Sequence, residues 1–463
     1  MSQVQEVDMP PAQRRYKRYP AYKGSGLEWL GEIPADWEVK RLKRIVQFCG
    51  GGTPSKDNVE YWRGDIPWVS PKDMKVSVVV ETEDKITAEA VHESATKLVP
   101  AVAVLLVVRS GILVHSIPVA LAGREVTLNQ DLKALIPSSE ITSEYLMYLI
   151  SGMQRELLVE WKKEGATVES LELDLVADTP TPLPSLLEQR AIVAFLDRET
   201  VRIDALVAKK ERLIELLQEK RTALITRAVT KGLDQNVPMK DSGVEWLGEI
   251  PARWDSLSLA RVTLSRCDGP FGSGLKSEHY SASGVRVVRL QNIGWTEFLD
   301  GDQAYLDEAY AGQLGDHSVR ADDLLIAGLG DEGHPVGRAC TAPGEIEPAM
   351  VKADCFRFRM DRRRVLPRFV AFQLSATASA AAGSLATGAT RARMNLTTTA
   401  SRKVALPPLD EQRVIVDALD REGAKHHTLE TKVREAIERL KELRTALISA
   451  AVTGKIDVRQ EVA

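Results

Sequence analysis

Few residues in this chain have types and spacing that could support catalysis. A nuclease centre could use two carboxylates and a lysine, and Asp65, Glu347 and Lys352 would supply them, but a chain with 27% charged residues contains many such triples. The pair His426 and His427 lies in a segment with helical periodicity, which favours a seam or surface position over a metal site. We therefore predict no catalytic, cofactor-binding or metal-ligating residues.

Short motifs for nucleotide, zinc or methyl-transfer chemistry are also missing from the sequence. There is no G-x-x-x-x-G-K-[ST] loop for phosphates and no H-E-x-x-H pair for zinc. The segment Thr179–Pro182 reads TPTP and lacks the acidic or amide side chain that opens an N/D-P-P-Y/F methyltransferase motif. The sequence thus predicts a protein that is not an enzyme.

The composition is that of an ordinary globular chain. With 463 residues and a hydrophobic fraction of 44%, the chain has room for two to four domains. Its 61 Lys and Arg nearly balance 65 Asp and Glu, so any claim about a charged partner must come from local surfaces. The longest apolar run, Val99–Val108, is too short to span a bilayer. The four cysteines form no C-x-x-C pair, which favours reduced thiols in a cytoplasm.

Two long helical segments organise the rest of the chain. The first is Leu183–Lys231, where Ser185 and Glu188 form an S-x-x-E capping box and Gly232 follows the last turn. The second is Leu406–Lys455, and it aligns with the first without a gap at an offset of 223 residues. We predict that the two helices pack on each other within one chain and run antiparallel.

Hydrophobic residues in both segments recur with a heptad spacing, which predicts a coiled-coil seam. In the first helix the predicted seam consists of Ile203, Leu206, Lys210, Leu213, Leu217, Lys220 and Leu224. In the second helix it consists of His426, Leu429, Val433, Ala436, Leu440, Leu443 and Leu447.

A short tryptophan-containing segment is also duplicated. Ser25–Trp37 reads SGLEWLGEIPADW and Ser242–Trp254 reads SGVEWLGEIPARW, at an offset of 217 residues. The whole chain is therefore a repeated unit of short segment, variable domain and long helix. We expect the tryptophans to be packing residues, and the first segment to dock near the end of the second helix.

The predicted fold class is α+β, with two α/β domains separated by two long antiparallel coiled-coil helices in a pseudo-two-fold internal duplication. Short β-branched runs alternate with turns in the variable domains, and helical patches cover Ser143–Lys163 and Pro367–Ala382. The predicted boundaries are an N-terminal arm (1–24), a first domain with its leading segment (25–182), helix 1 (183–232), a linker with the second segment and domain (233–405), helix 2 (406–455) and a tail (456–463).

Several motifs resemble the specificity subunit of type I restriction-modification enzymes. Both helical segments contain L-P-x-L-x-E-Q-R-x-I followed by R-T-A-L-I-x-x-A-V-T. The variable domains, with Gly51–Met74 and Arg109–Leu135 in the first and Gly269–Tyr280 and Val287–Gly294 in the second, look like two different target-recognition domains. The loop Gly328–Ala339 departs from the family pattern around His334 and Pro335.

The resemblance implies a DNA-reading subunit without chemistry of its own. It would read a bipartite, asymmetric target in double-stranded DNA and would direct two methyltransferase (modification) subunits and the endonuclease/translocase (restriction) subunits to that target. S-adenosylmethionine, ATP and Mg²⁺ would belong to those partners. The alternative is a structural coiled-coil adaptor whose domains bind protein.

Candidate DNA contacts are polar and basic residues near predicted turns, since Arg and Lys neutralise phosphates and Asn, Gln, Arg and Ser pair with base edges. In the first domain they are Thr53, Ser55, Lys56, Ser70, Lys72, Arg109, His115, Asn129 and Gln130. In the second they are Ser273, Lys276, Arg289, Gln291, Asn292, His334, Arg391 and Arg393.

Overall fold

The structure is a computed structural model that describes residues 16–163, 168–271, 274–331, 333–385 and 392–461. The chain forms two compact units: unit 1 comprises Met1–Glu211 and Arg434–Ala463, and unit 2 comprises Arg212–Val433. Each long helix is therefore shared between the units. In the described ranges, no helix is both long and apolar enough to cross a membrane.

Unit 1 contains twelve described strands and four short helices before the first long helix. The strands are β1 (Tyr22–Gly24), β2 (Glu32–Pro34), β3 (Glu38–Arg41), β4 (Val46–Gly50), β5 (Ile66–Val69), β6 (Val78–Val79), β7 (Lys85–Ile86), β8 (Val104–Val107), β9 (Val119–Ala122), β10 (Thr127–Leu128), β11 (Leu132–Pro137) and β12 (Pro180–Leu183). The helices are α1 (Ala88–Glu93), α2 (Ser143–Gly152), α3 (Gln154–Trp161), α4 (Leu173–Asp178) and the long α5 (Leu186–Lys231).

Unit 2 contains thirteen described strands in a similar order. The strands are β13 (Met239–Asp241), β14 (Glu249–Pro251), β15 (Asp255–Ser258), β16 (Thr263–Cys267), β17 (Tyr280–Ser281), β18 (Val285–Val288), β19 (Tyr305–Leu306), β20 (Ser318–Val319), β21 (Leu324–Ala327), β22 (Ala339–Thr341), β23 (Ala349–Val351), β24 (Cys355–Met360) and β25 (Lys403–Leu406). The helices are α6 (Glu308–Gln313), α7 (Pro367–Ala376), α8 (Ala378–Leu385), α9 (Leu396–Ser401) and the long α10 (Leu409–Val452).

The core of unit 1 lies on both faces of a five-stranded sheet with the order β4-β11-β8-β9-β6. Successive side chains of a strand point to opposite faces. In β8, Val104 and Leu106 accordingly join one apolar cluster with α2 and α5, whereas Leu105 and Val107 join a second cluster on the other face. The apolar run in the sequence thus forms a strand buried on both sides.

Unit 2 uses the same arrangement around its four-stranded sheet, β16-β24-β21-β22. Leu324 and Ile326 of β21 contribute to the cluster that contains α7 and parts of α5 and α10, and Leu325 and Ala327 contribute to the opposite one. A second sheet in each unit contains a parallel strand pair, β5 with β10 in unit 1 and β18 with β23 in unit 2. The two variable domains therefore share a topology that their dissimilar sequences did not reveal. The α+β fold class is confirmed.

The long helices are shorter at their N-terminal ends than the sequence predicted. Leu183 ends β12 and Leu406 ends β25, so α5 begins at Leu186 and α10 at Leu409. Ser185 caps α5 by accepting a hydrogen bond from the Glu188 amide at 3.3 Å, as expected. Leu183 and Leu406 belong to strands because the last strand of each variable domain pairs with its first strand: β12 pairs with β3, and β25 pairs with β15.

The two long helices run antiparallel in both units. In unit 1, the Arg198 guanidinium donates to the carbonyl of Glu461 at 2.7 Å, and further along α5 Asp204 accepts from Arg444 Nε at 3.0 Å. In unit 2, Gln218 Nε2 donates to Glu430 Oε1 at 3.3 Å. Residue numbers rise along one helix as they fall along the other, so the prediction of antiparallel packing within one chain is confirmed.

Part of the predicted seam is wrong. The positions seven apart that start at Ile203 and at His426 are buried or half-buried as predicted, and so are Ala436 and Leu443, but Leu206, Leu213, Lys220 and Leu429 are exposed. In each of these four cases the next residue is more buried; Ile214 is 8% exposed whereas Leu213 is 40% exposed. Positions three and four apart both neighbour the same residue on a helix surface, so periodicity alone could not separate them.

The duplicated short segments anchor their tryptophans against the ends of the long helices. Gly232 follows α5 with φ of +76° and lies against Trp254, and Gly454 follows α10 with φ of +69° and lies against Trp37 and Pro34. Tyr22 Oη also donates to the Gly454 carbonyl at 3.1 Å. The prediction that the first segment docks at the end of the second helix is confirmed, and so is the packing role of the tryptophans.

A buried glutamine joins each long helix to its variable domain. Gln189 Nε2 donates to the carbonyls of Glu140 and Pro184 at 2.9 and 3.0 Å, and its Oε1 accepts from the Thr142 amide at 2.8 Å. Gln412, 223 residues later, makes the same three bonds with Arg364, Pro407 and Leu366. Because these partners are all main-chain atoms, the joint is independent of the side chains of the variable domain.

Replacing Gln412 with leucine should destabilise unit 2 strongly. The change leaves one buried amide and two buried carbonyls without a partner, and unsatisfied buried groups cost roughly 1–3 kcal/mol each, so we expect a loss of about 3 kcal/mol in the free energy of unfolding. Urea denaturation would measure it. Gln313→Leu, at an exposed position of the same unit, is the control and should change the free energy by less than about 0.5 kcal/mol. Equal midpoints for the two variants would contradict the role of Gln412.

Candidate nucleic-acid interface

In unit 1 the predicted contact residues gather at one edge of the parallel strand pair. The strands β5 and β10 run in the same direction, so their carboxyl ends lie side by side, and they are followed by Ser70 and Asn129. The Asn129 amide donates to the carbonyl of Val69 at 2.9 Å. We call this region, with the loop Gly51–Lys56, edge 1.

The glycine-rich loop of edge 1 packs directly on the residues that follow β10. The Gly52 amide donates to the Leu128 carbonyl at 2.8 Å, and a side chain at Gly51 would collide with the carbonyls of Leu128 and Asn129. Thr53 Oγ1 donates to Gln130 Oε1. Three predicted residues that are distant in sequence, Thr53, Asn129 and Gln130, are thereby brought together.

An aspartate that the sequence did not single out organises edge 1. Asp131 accepts from Arg109 Nε at 2.6 Å and from Asn129 Nδ2 at 3.3 Å, and its amide donates to Asn129 Oδ1 at 3.0 Å. The Arg109 side chain is 54% exposed. Exposed ion pairs contribute only about 0–1 kcal/mol, so a phosphate could displace this carboxylate at little cost.

The other predicted residues of unit 1 divide into structural and exposed groups. Ser70 is buried and its amide and hydroxyl donate to Asp73 Oδ2 at 2.8 and 2.7 Å, so it shapes the turn after β5. Lys72 forms exposed ion pairs with Glu83 and Asp84 at 2.9 and 3.3 Å. The side chains of Ser55, Lys56 and His115 are exposed. In the described part of the chain, the side chains of Lys56 and His115 have no hydrogen-bond or ionic partner.

Unit 2 presents the corresponding edge after its own parallel pair, β18 and β23. The turn after β18 has the same capping arrangement as the one after β5: the Arg289 amide donates to Asn292 Oδ1 at 2.9 Å. Asn292 is fully buried and also donates to the carbonyls of Leu299 and Asp302 at 2.9 and 2.8 Å. Its side chain therefore fixes the turn and is not available to a base. We call this region, with the segment Gly269–Phe271, residues 328–331 and 333–338, and Arg393, which bridges to Leu329, edge 2.

Arg289 and Arg393 are the two predicted contact arginines of unit 2 that lie within the described residues. Arg289 Nε donates to Asp302 Oδ2 at 2.6 Å, a second nitrogen contacts the other oxygen, and only a quarter of the side chain is exposed. Arg393 pairs with Asp354 at 2.8 Å, lies 5.8 Å from the Phe271 ring centre and is half exposed. The ion pair of Arg393 is thus the easier of the two to break.

Burial changes the charge of a carboxyl group beside this pair. Asp268 follows β16, and desolvation raises its pKa to about 6, while the Gly269 amide opposes that rise by donating to its carboxylate at 2.7 Å. The neighbouring Asp354 raises the pKa further. Asp268 therefore remains mostly ionised at pH 7 and becomes neutral as the pH falls through about 6, which is above the range of an ordinary aspartate.

A cleft of about 450 Å³ lies between the turn after β18 and the loop that follows β21. Gln291 and His334 line its mouth, and Arg338 lies in its wall. His334 Nδ1 is 3.0 Å from Asp331 Oδ1, whereas Gln291 is exposed without a side-chain partner among the described residues. Lys276 lies elsewhere in unit 2, 3.6 Å from Glu278. Ser273 and Arg391, also predicted as contacts, lie outside the described residues.

The residues that sequence reasoning missed are Asp131, Asp302, Asp354 and Arg338. One signal was available for two of them, because Asp131 and Asp354 each stand 58 residues before the glutamine of the long helix, Gln189 or Gln412. Each forms an ion pair with an arginine, although the two arginines come from different places in the fold: Arg109 follows β8, whereas Arg393 lies between α8 and α9. Within the described ranges no group of three or more His, Cys, Asp or Glu could hold a metal ion.

The two edges therefore share one scaffold and differ in what it exposes. Both consist of a parallel strand pair, a capped turn, a glycine-containing loop and an aspartate paired with arginine. Edge 1 exposes Thr53, Lys56 and Gln130, and edge 2 exposes Gln291, His334 and Arg393. Such an arrangement can present two different sets of hydrogen-bonding groups in the same geometry.

Comparisons with known proteins all lead to one family. The family model of the type I restriction modification DNA specificity domain matches residues 34–216 and 327–439. The specificity subunit of the type I restriction enzyme EcoR124I/EcoR124II from Escherichia coli is 40% identical over 207 residues, which are 44% of this chain and 50% of that protein. The MjaVIII specificity subunit from Methanocaldococcus jannaschii is 21% identical over 433 residues, 92% of this chain and 94% of that protein.

Two solved structures share the fold. A chain from work on complex assembly and conformational transition of the type I R-M system has a TM-score of 0.68 at 15% identity and covers 91% of this chain and 98% of its own length. The HsdS subunit from Thermoanaerobacter tengcongensis has a TM-score of 0.52 at 16% identity, with 92% and 98% covered. The match to the E. coli relative spans about half of that relative's length. Because the family model covers more than half of its residues, this chain belongs to the type I restriction-modification DNA specificity family.

Proposed function

We propose that this chain is the DNA-reading specificity subunit of a type I restriction-modification complex, and that each unit reads one half of a bipartite, asymmetric target. The observation that carries the proposal is the pair of edges, which share a scaffold and expose different polar side chains. A symmetric target would be read by two identical sets of side chains, so two different sets of exposed side chains support an asymmetric target. The family membership of the chain supports the same function.

Affinity would come mainly from contacts with phosphates. Lys56, Lys72, Arg109, Lys276 and Arg393 are exposed, and all except Lys56 form an ion pair with a nearby carboxylate while their own side chains remain accessible. A phosphate can replace those carboxylates because exposed pairs are weak. The carboxylates also hold the cations in place before DNA arrives, which reduces the side-chain freedom lost on binding.

Sequence would be read in the major groove, where all four base pairs present distinct donors and acceptors. Edge 1 offers the hydroxyls of Thr53 and Ser55 and the amide of Gln130, and edge 2 offers the amide of Gln291 and the imidazole of His334. Ser70, Asn129 and Asn292 act indirectly in this proposal, because their side chains hold the turns that present the exposed residues.

The chain supplies recognition and no catalytic group in this proposal. Modification subunits would methylate the target and restriction subunits would translocate and cleave DNA, with S-adenosylmethionine, ATP and Mg²⁺ bound by those partners. The exposed leucines of the long helices, among them Leu206, Leu213 and Leu216, are apolar surface that such partners could cover.

Binding of the full chain to a randomised duplex pool over a salt series tests the proposal against a protein-binding adaptor. The logarithm of the association constant falls with the logarithm of salt with a slope of about −0.9 per neutralised phosphate, so the five exposed cations predict a slope of about −4 to −5. Sequencing of the bound fraction should yield two separate conserved blocks. An adaptor would bind no duplex at any salt concentration, and that result would reject the proposal.

Charge-reversal variants test a single predicted contact by the same salt dependence of duplex binding. Lys56→Glu should make the salt slope less steep by about one unit, because it removes one phosphate contact. Lys441→Glu makes the same charge change at an exposed site of α10 in the same unit and should leave the slope unchanged. Equal slopes for the two variants would remove Lys56 from the interface.

A further inference from the structure

Arg338 is an almost fully buried arginine in the wall of the edge 2 cleft. It is 5% exposed, and no carboxylate among the described residues pairs with it. Its guanidinium instead donates to main-chain carbonyls on both sides of the cleft. Nε donates to the carbonyl of Ile293 at 2.7 Å, and Nη2 donates to the carbonyl of Leu290 at 3.0 Å. Two donors therefore hold the turn after β18.

The remaining nitrogen of Arg338 holds the opposite side of the cleft. Nη1 lies 3.2 Å from the carbonyl oxygen of Leu329, 3.3 Å from that of His334 and 3.4 Å from that of Pro335. One planar group therefore joins the turn that carries Gln291 to the loop that carries His334. Both loops lie in the cleft that the guanidinium borders.

We propose that Arg338 is a positioning residue for target recognition, which fixes the Gln291 turn and the His334 loop relative to each other so that the cleft discriminates bases in the second half of the target. The role rests on the proposed function. It concerns geometry rather than charge, because arginine alone has five donors in a rigid fork and lysine has three donors on one atom. A lysine at this position reaches one side of the cleft and leaves the other unheld.

The alternative, in which Arg338 only stabilises the fold, has a matched control in the same unit. Arg357 is also nearly fully buried, and it donates from Nε to the Ser318 carbonyl at 3.1 Å and from Nη1 to Ser265 Oγ at 2.8 Å. Among the described residues, its guanidinium forms no hydrogen bond with either cleft loop. Arg357→Lys therefore destabilises the unit by removing a buried arginine without disturbing the cleft.

The experiment compares Arg338→Lys, Arg357→Lys and the unaltered full chain in selection from a randomised duplex pool, with thermal unfolding measured in parallel. We expect Arg338→Lys to reduce the base preference of the second half of the target by about tenfold or more, with the first half and the affinity for random duplex unchanged. Arg357→Lys should retain both halves. Retained preference in Arg338→Lys, or equal losses in both variants, would overturn the positioning role.

A second measurement does not depend on the folding of Arg338→Lys. Gln291→Ala and His334→Ala, alone and together in an otherwise unaltered chain, form a double-mutant cycle. Both substitutions keep the main-chain carbonyls that Arg338 holds, so each variant should fold and should weaken the preference for the second half of the target only. An unchanged preference for the second half in the double variant contradicts the inference. If the unaltered chain selects no sequence from the pool, the proposed function itself fails, which is a separate result from the loss of one half in a variant.

Discussion

Exchange of residues 36–182 for the equivalent segment of another member of the family is expected to change one half of the methylated target completely and to leave the other half intact. Edge 1 lies entirely within this segment, and edge 2 lies entirely outside it. Mapping methylated adenines in DNA from cells that express the hybrid with the modification partner would measure the change.

The structure explains why such an exchange should preserve folding. The strand β3 opens the variable domain and pairs antiparallel with β12, which closes it, so the chain enters and leaves the domain side by side. The retained Gln189 contacts the exchanged segment only through the main chain of Glu140 and Thr142. These contacts do not depend on the incoming sequence.

The reciprocal exchange provides the control. Residues 253–405 correspond to 36–182 in unit 2, where β15 and β25 form the same ladder. This exchange should change the other half of the target only. A hybrid of either kind that alters both halves, or neither, would contradict the assignment of one half to each unit.

Replacing Trp254 with alanine is expected to lower the free energy of unfolding by about 3–5 kcal/mol, the range for deletion of a large buried aromatic side chain. Trp254 is 0% exposed, packs edge-to-face on Phe369 at a ring separation of 6.2 Å and contacts the end of α5 at Gly232. Its loss leaves a cavity at the joint between the short segment and the helix. Urea denaturation, with hydrogen exchange to locate the loss in unit 2, would measure it.

Phenylalanine at the same position separates packing from hydrogen bonding. The indole Nε1 of Trp254 has no hydrogen-bond partner among the described residues, so Trp254→Phe removes volume alone and should be much milder than Trp254→Ala. Leu264→Ala, at a site that is 69% exposed in the same unit, should change the free energy by less than about 0.5 kcal/mol. If the phenylalanine variant were as unstable as the alanine variant, an unseen partner of the indole would be required.

The strongest predictions from sequence were those that depend on local patterns. The capping serine of the first long helix and Gly232 after its last turn follow from residues close together in the chain, and both are confirmed. The seam was partly wrong because residues such as Leu213 and Ile214 are both apolar, and only the position of the opposite helix decides which one is buried.

The candidate interface was harder to predict from the sequence. Residue type correctly selected the segments that meet at each edge, but it could not distinguish Asn292, which is fully buried, from Gln291, which is exposed one residue earlier. The contacts themselves remain predictions. The shared topology of the two variable domains was also invisible, because only pairing between distant strands reveals it.

The sequence by itself determined the repeated frame, the two long helices, the α+β class and the family, since each follows from periodicity or from motifs that neighbouring residues complete. Only the tertiary structure decided which polar side chains are exposed at the edges, which cations hold carboxylates, and that Arg338 joins two loops. Those properties depend on contacts between residues tens of positions apart, and an amino-acid type carries no information about its partner until the chain has folded.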